Sequence, residues 1–115
     1  MAKSNKPIVW GLFAAGGTIT AFLTPVMIFV TGLAVPLGIM GPEVLAYERI
    51  HDFVGNWFWK LVLFGIIFFS LWHAAHRFRI TMHDFGVRAD GVVAKLSYSL
   101  AALGTISAIF LLLRI

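Results

Sequence analysis

Trp10, His76 and Arg77 are the side chains in this sequence whose types and placement suggest chemistry, since all three fall at the ends of long apolar stretches. A tryptophan ring offers a flat apolar wall and one indole N–H, while an adjacent His and Arg offer a proton carrier and a fixed cation. Such a set suits a planar apolar molecule with oxygens on its rim, such as a quinone head group. The same residue types also serve as anchors where an apolar helix leaves a membrane, with Trp in the aromatic belt and His or Arg among headgroups. The residues by themselves leave both readings open.

Other polar groups carry weaker signals. His73 and His76 stand three residues apart and share a helix face, with His83 following. That spacing could ligate a metal, and a single intramembrane histidine could hold a haem. The pair sits at the end of an apolar stretch with no evident second ligand, which favours interfacial histidines without metal or haem. Tyr47-Glu48-Arg49 fits a surface turn with a local ion pair, and Met82-His83-Asp84 a helix terminus or loop. Thr18, Thr20, Thr24 and Thr31 are expected to bond back to their own helix. The chain has no cysteine, which excludes iron–sulfur ligation, disulfides and thiol catalysis by this polypeptide. Ala14-Ala15-Gly16-Gly17 lies inside an apolar run and matches no nucleotide-binding fingerprint, so no flavin or nucleotide is held through such motifs.

The elements that must position these groups follow from composition. Of the 115 residues, 60% are hydrophobic and 12% charged, so the solvent the sequence fits is mostly lipid. A bilayer core needs roughly 20 residues of helix to cross it. Three stretches are long enough, residues 10–37, 57–75 and 92–113, and they predict an all-α membrane protein of three transmembrane helices forming one anchor domain over residues 1–115. The first span would reach roughly 42 Å at 1.5 Å per residue. Pro25 near its middle predicts a kink, and Pro36, Gly38, Gly41 and Pro42 mark its end. Residues 41–56 read as a short helix plus turn at the membrane surface, and 77–91 as a polar connection. Lys3 and Lys6 resemble the start of a signal peptide, but the apolar segment behind them is too long for a cleaved one and reads as a retained span.

Lysine and arginine set the expected orientation. Lys3, Lys6, Arg77, Arg79, Arg88 and Lys95 fall on one side, and Arg49, Lys60 and Arg114 on the other. The positive-inside rule then places the N-terminus and the second connection in the cytoplasm and the C-terminus opposite. Trp10 and Trp72 would lie at one interface, Trp57 and Trp59 at the other. The net charge of +4 is spread over helix ends rather than gathered among exposed aromatics, so nucleic acid is not an expected partner. Small residues predict close helix contacts along Ser97, Ala101, Gly104 and Ala108 in the third span, and along Ala14, Gly17 or Thr18, and Ala21 in the first. Three helices make a small core, so a second membrane subunit is expected alongside.

Taken in order, Val9-Trp10-Gly11-Leu12-Phe13, Gly16-Gly17, Pro25-Val26-Met27-Ile28, Pro36-Leu37-Gly38, Tyr47-Glu48-Arg49, His76-Arg77 and Met82-His83-Asp84 resemble the D subunit of quinol:fumarate reductase. The resemblance is collinear over nearly the whole chain. It implies a bacterial inner-membrane complex of four kinds of subunit: a flavoprotein that reduces fumarate, an iron–sulfur subunit, and two anchors, C and D. It further implies that menaquinol is oxidised near the cytoplasmic face, between the anchors and the iron–sulfur subunit, in anaerobic respiration, and that the C-terminus is periplasmic. Trp10, His76 and Arg77 match positions around the quinol head group, and the implied anchor lacks haem. The sequence departs from the family at Phe78-Arg79-Ile80, where the family is richer in histidine, and at Gly55-Asn56, where it has a polar pair. Two other classes compete: the anchor of a haem-containing succinate:quinone reductase, marked by a reduced haem band, and a small transporter or regulatory membrane protein, which would carry a path of charged groups at the bilayer midplane.

Overall fold

The computed structural model describes residues 6–115, so Lys3 lies outside the described residues. Helix α1 spans Lys6–Phe29 and contains Pro25. It continues into one π turn at Val30–Ala34, where the Val35 N–H donates to the Val30 carbonyl at 3.1 Å. Gly38, at φ +76°, takes the left-handed conformation that a β-carbon disfavours and turns the chain away. A 3₁₀ turn, Pro42–Leu45, then leads into the short helix α2, Tyr47–Gly55, the short helix plus turn expected here. Asn56 caps the long helix α3, Trp57–Asp84, its Oδ1 accepting the Phe58 N–H at 2.9 Å. Helix α4 runs Asp90–Arg114.

α1, α3 and α4 are each long and apolar enough to cross a membrane, and the chain is a multi-pass membrane protein. The outward surface agrees, since large side chains such as Phe22, Leu100 and Ile106 are 74%, 67% and 63% exposed. Contiguous apolar surface of that kind is stable against lipid and costly against water.

α3 lies between α1 and α4 and packs against both. Among the described residues no large side chain is fully buried, and apart from Lys60, at 7% exposure, the buried positions are small ones such as Ala75, Ser97, Ala101 and Ala108. Helices in lipid gain contact by letting backbones approach, which small residues permit. The expected seam on α4 is there: Ser97, Ala101 and Ala108 are buried, and a β-carbon on Gly104 would come 2.8 Å from Leu71 Cδ1. On α1 the expected stripe is met at Gly17, where a β-carbon would come 2.8 Å from His73 Cε1, but not farther along. Thr18 and Ala21 are exposed, whereas Gly16 is buried against α3. A β-carbon on Gly16 would collide with the Phe69 carbonyl oxygen and stand 2.7 Å from His73 Cβ. Four small residues in a row at Ala14–Gly17 serve neighbouring stripes equally well, and residue size alone does not choose between them.

The connection expected to begin at Arg77 is helical as far as Asp84. Hydropathy falls after Ala75, but Arg77–Asp84 contains neither glycine nor proline, so nothing in the backbone stops the helix when the side chains become polar. It stops where Gly86 adopts φ +85°, with the Gly86 N–H donating to the His83 carbonyl and the Val87 N–H to that of Met82. Trp72 and His73 thus lie about three turns inside α3 rather than at its exit. The overhang is tied to α4 by Arg79, which grips Asp90 through Nε–Oδ1 at 3.0 Å and NH2–Oδ2 at 2.6 Å. Asp90 also sits in the first turn of α4, where a carboxylate complements the helix dipole. No ion pair joins Glu48 to Arg49 among the described residues; both lie in the first turn of α2.

Candidate functional site

At the end of the bundle where α1 begins and α3 ends, the three long helices line a half-open cavity of about 380 Å³. Its walls include Phe13 from α1, Phe69, Trp72, His73 and His76 from α3, and Tyr98 from α4. The spacing explains the gathering: Phe69, Trp72, His73 and His76 recur at three and four residues and so form one stripe of α3.

The rings hold one another in place. Phe13 stacks on His73 with centroids 4.4 Å apart and planes 20° from parallel, and meets His76 edge-on at 4.9 Å. Trp72 stacks on Tyr98 at 5.9 Å, and its indole N–H donates to Thr105 Oγ1 at 3.2 Å. Thr105 in turn donates to the Ala101 carbonyl at 2.8 Å. His73 Nδ1 is 2.8 Å from the Phe13 carbonyl oxygen, and His76 Nδ1 is 2.9 Å from the Tyr98 hydroxyl. Arg79 NH1 reaches that same hydroxyl at 3.5 Å, its guanidinium lying 5.8 Å from the centre of the Tyr98 ring. Gly17 makes room for His73, since a β-carbon there would come 2.8 Å from His73 Cε1.

Of the three residues singled out from sequence, His76 lines the cavity and is partly buried. Trp10 and Arg77 lie at the same end of the bundle but on its outside: Trp10 is 70% exposed, and Arg77, one residue past His76, is turned to the exposed face. The structure therefore adds His73, Tyr98 and Phe13 to His76 and leaves Trp10 and Arg77 beside the cavity rather than in its wall. The signal for His73 was its i, i+3 relation to His76. Tyr98 gave none, because its contact depends on how α4 folds back on α3. Among the described residues no three His, Cys, Asp or Glu side chains converge as a metal site.

Of the span-one threonines, Thr18 and Thr31 bond back to Ala14 and Met27. Thr20 instead donates across the α1–α3 interface to Ser70 Oγ at 3.2 Å. The cavity can take a flat apolar ring between aromatic faces and present imidazole nitrogens to oxygens at the ring's edge.

A family model for the D subunit of fumarate reductase matches residues 1–113. The fumarate reductase D subunit of Aliivibrio fischeri (strain MJ11) is 42% identical over 114 residues, covering 98% of this chain and 94% of the relative. That of Vibrio parahaemolyticus serotype O3:K6 (strain RIMD 2210633) is 40% identical over 114 residues, 98% of this chain and 90% of the relative. The fumarate reductase D subunit of Mycobacterium bovis (strain BCG / Pasteur 1173P2) is 39% identical over 114 residues, 96% of this chain and 89% of the relative.

Proposed function

Since this chain belongs to the D-subunit family of fumarate reductase, the membrane-anchor subunits of that complex, we propose that it attaches the flavoprotein and iron–sulfur subunits to the bacterial inner membrane and supplies part of the menaquinol oxidation site. A second anchor, the C subunit, packs against its exposed apolar faces. The observation that carries the quinol reading is the aromatic cavity edged by His76 and His73 at the positively charged end of the bundle. Lys6, Arg77, Arg79, Arg88 and Lys95 gather toward that end, which supports a cytoplasmic placement with a periplasmic C-terminus.

Oxidation of a quinol releases two electrons and two protons, so the head group must lie within reach of an electron acceptor and of groups that hydrogen-bond its oxygens. This chain has no thiolate with which to bind a cluster, and the acceptor is the iron–sulfur partner. The electrons then pass to the flavin, where fumarate is reduced. His76 supplies a hydrogen bond or proton-relay position at the head group. Trp10 and Arg77, exposed at the same end, are available to the partner side of the site: Trp10 as a ring wall, Arg77 as a positive charge favouring a developing quinol anion.

One fusion tests attachment and orientation together. A reporter active only in the cytoplasm, joined after Ile115 with an affinity tag, is expected to stay silent, while purification through the tag from mild detergent brings flavin absorbance and an iron–sulfur signal. A strong reporter signal overturns the orientation, and purification without flavin or cluster overturns the anchoring role.

A further inference from the structure

We infer that His73 is a second head-group ligand, its Nε2 lone pair accepting a hydrogen bond from a hydroxyl of the bound quinol and biasing the cavity toward the reduced molecule over the quinone. The inference rests on the quinol reading of the cavity and goes beyond it by assigning opposite hydrogen-bond roles to the two histidines.

The roles follow from the partners of the two Nδ1 atoms. A backbone carbonyl can only accept, so the 2.8 Å contact with Phe13 requires His73 Nδ1 to carry the proton. In the neutral ring Nε2 is then a bare acceptor. Among the described residues nothing hydrogen-bonds to it, while the ring lines the cavity.

His76 is arranged the other way. An arginine can only donate, so the Tyr98 oxygen accepts from Arg79 NH1, and the Tyr98 O–H has one acceptor in reach, His76 Nδ1 at 2.9 Å. Pairing that O–H with His76 Nδ1 is the arrangement that satisfies both groups within the bundle, and it leaves the proton on His76 Nε2. The direction of donation runs from Arg79 to Tyr98 to His76 and on to whatever oxygen lies in the cavity.

A donor and an acceptor three residues apart on one helix face distinguish the two redox forms. His76 Nε2–H can bond an oxygen of either quinol or quinone. His73 Nε2 can bond only the quinol, whose hydroxyl donates; a quinone carbonyl would set lone pair against lone pair and leave both atoms unsatisfied. The discrimination accordingly sits on His73. The ring is held for this role by its stacking on Phe13 and by the missing β-carbon of Gly17.

The test uses the assembled complex, with fumarate reduction by quinol compared against reduction by a viologen donor that bypasses the membrane site. His73→Phe keeps a ring in the same seat and removes the acceptor. The KM for quinol is expected to rise about ten-fold, the worth of one hydrogen bond, while the inhibition constant of the product quinone moves less than about two-fold. Gly17→Ala, which presses on His73 Cε1 without altering its chemistry, is expected to shift the same ratio in the same direction, and it carries the test if His73→Phe does not assemble. Equal changes for quinol and quinone would mean that His73 only shapes the cavity, and a larger loss for quinone would mean that it donates; either overturns the inference. His76→Leu separates this failure from failure of the site itself. If His76→Leu also leaves quinol turnover unchanged, the cavity is not the quinol site, whereas if it slows turnover while the His73 ratio holds at its wild-type value, the inference alone is wrong.

Discussion

His76→Leu is expected to slow quinol-driven fumarate reduction at least about ten-fold, while reduction driven by a soluble artificial donor stays at the wild-type level. Leucine fills a similar volume but offers no donor at the head group, and it strands the Tyr98 hydroxyl that now bonds Nδ1 at 2.9 Å. Tyr98→Phe isolates the second effect. The phenyl ring can keep its stack on Trp72, the hydroxyl is gone, and His76 loses the partner that fixes its tautomer and orientation. A loss of roughly three- to five-fold is expected, smaller than for His76→Leu because the imidazole remains. Both activities are to be measured on complex that retains flavin and clusters, since a detached anchor also lowers quinol-driven turnover. If His76→Leu lowers the two activities equally, its role is in assembly rather than in the quinol site.

The second large effect is expected at the closest approach of two helices. Gly16→Ala sets a methyl group against the Phe69 carbonyl oxygen and 2.7 Å from His73 Cβ, and neither can swing aside without moving the α3 backbone. Overpacking of this kind costs about 1–3 kcal/mol, and the upper part of that range is expected here because backbone, not a side-chain tip, is in the way. Gly104→Ala provides the comparison. Its β-carbon meets Leu71 Cδ1 at 2.8 Å, the mobile end of a leucine that can change rotamer, so the cost should stay below about 1 kcal/mol. Thermal release of flavin from detergent-solubilised complex reads both: Gly16→Ala should lower the midpoint clearly and Gly104→Ala little. Indistinguishable midpoints would show that the α1–α3 contact yields more easily than its geometry indicates.

Much of the architecture was legible because lipid imposes simple demands on a sequence. Long apolar runs, polar connections and the α4 seam of Ser97, Ala101, Gly104 and Ala108 follow from what a bilayer accepts and from how closely helices must approach. The end of α3 was not legible from hydropathy, since the membrane boundary and the helix boundary are set by different physics. Side-chain polarity marks the first near Ala75, and the left-handed conformation of Gly86 sets the second. The stripe of α1 that meets α3 was ambiguous for a related reason, with Ala14–Gly17 offering small residues to every direction.

The candidate site divides along the same line. His76 could be singled out because it stands beside Arg77 at the end of an apolar run, at the same expected interface as Trp10, with the chemistry that a quinone's oxygens require. His73 stood beside it with the spacing of a shared face, but its role depends on the Phe13 carbonyl, 60 residues away in sequence. Tyr98 is linked to His76 only through the packing of α4 on α3, and no local pattern encodes that. Trp10 and Arg77 show the converse: their residue types fit a quinone, yet their side chains leave the cavity wall and point to the surface where partner subunits would sit.

Photolabelling the assembled complex with an azido analogue of menaquinol, followed by mapping of the labelled peptides, shows whether this chain forms part of the quinol site. Label is expected on the α3 segment holding Trp72–His76 and on the start of α1 around Phe13, both protected by excess unlabelled quinol. Label confined to other subunits, or label on this chain that excess quinol does not displace, would mean that this chain forms no part of the quinol site.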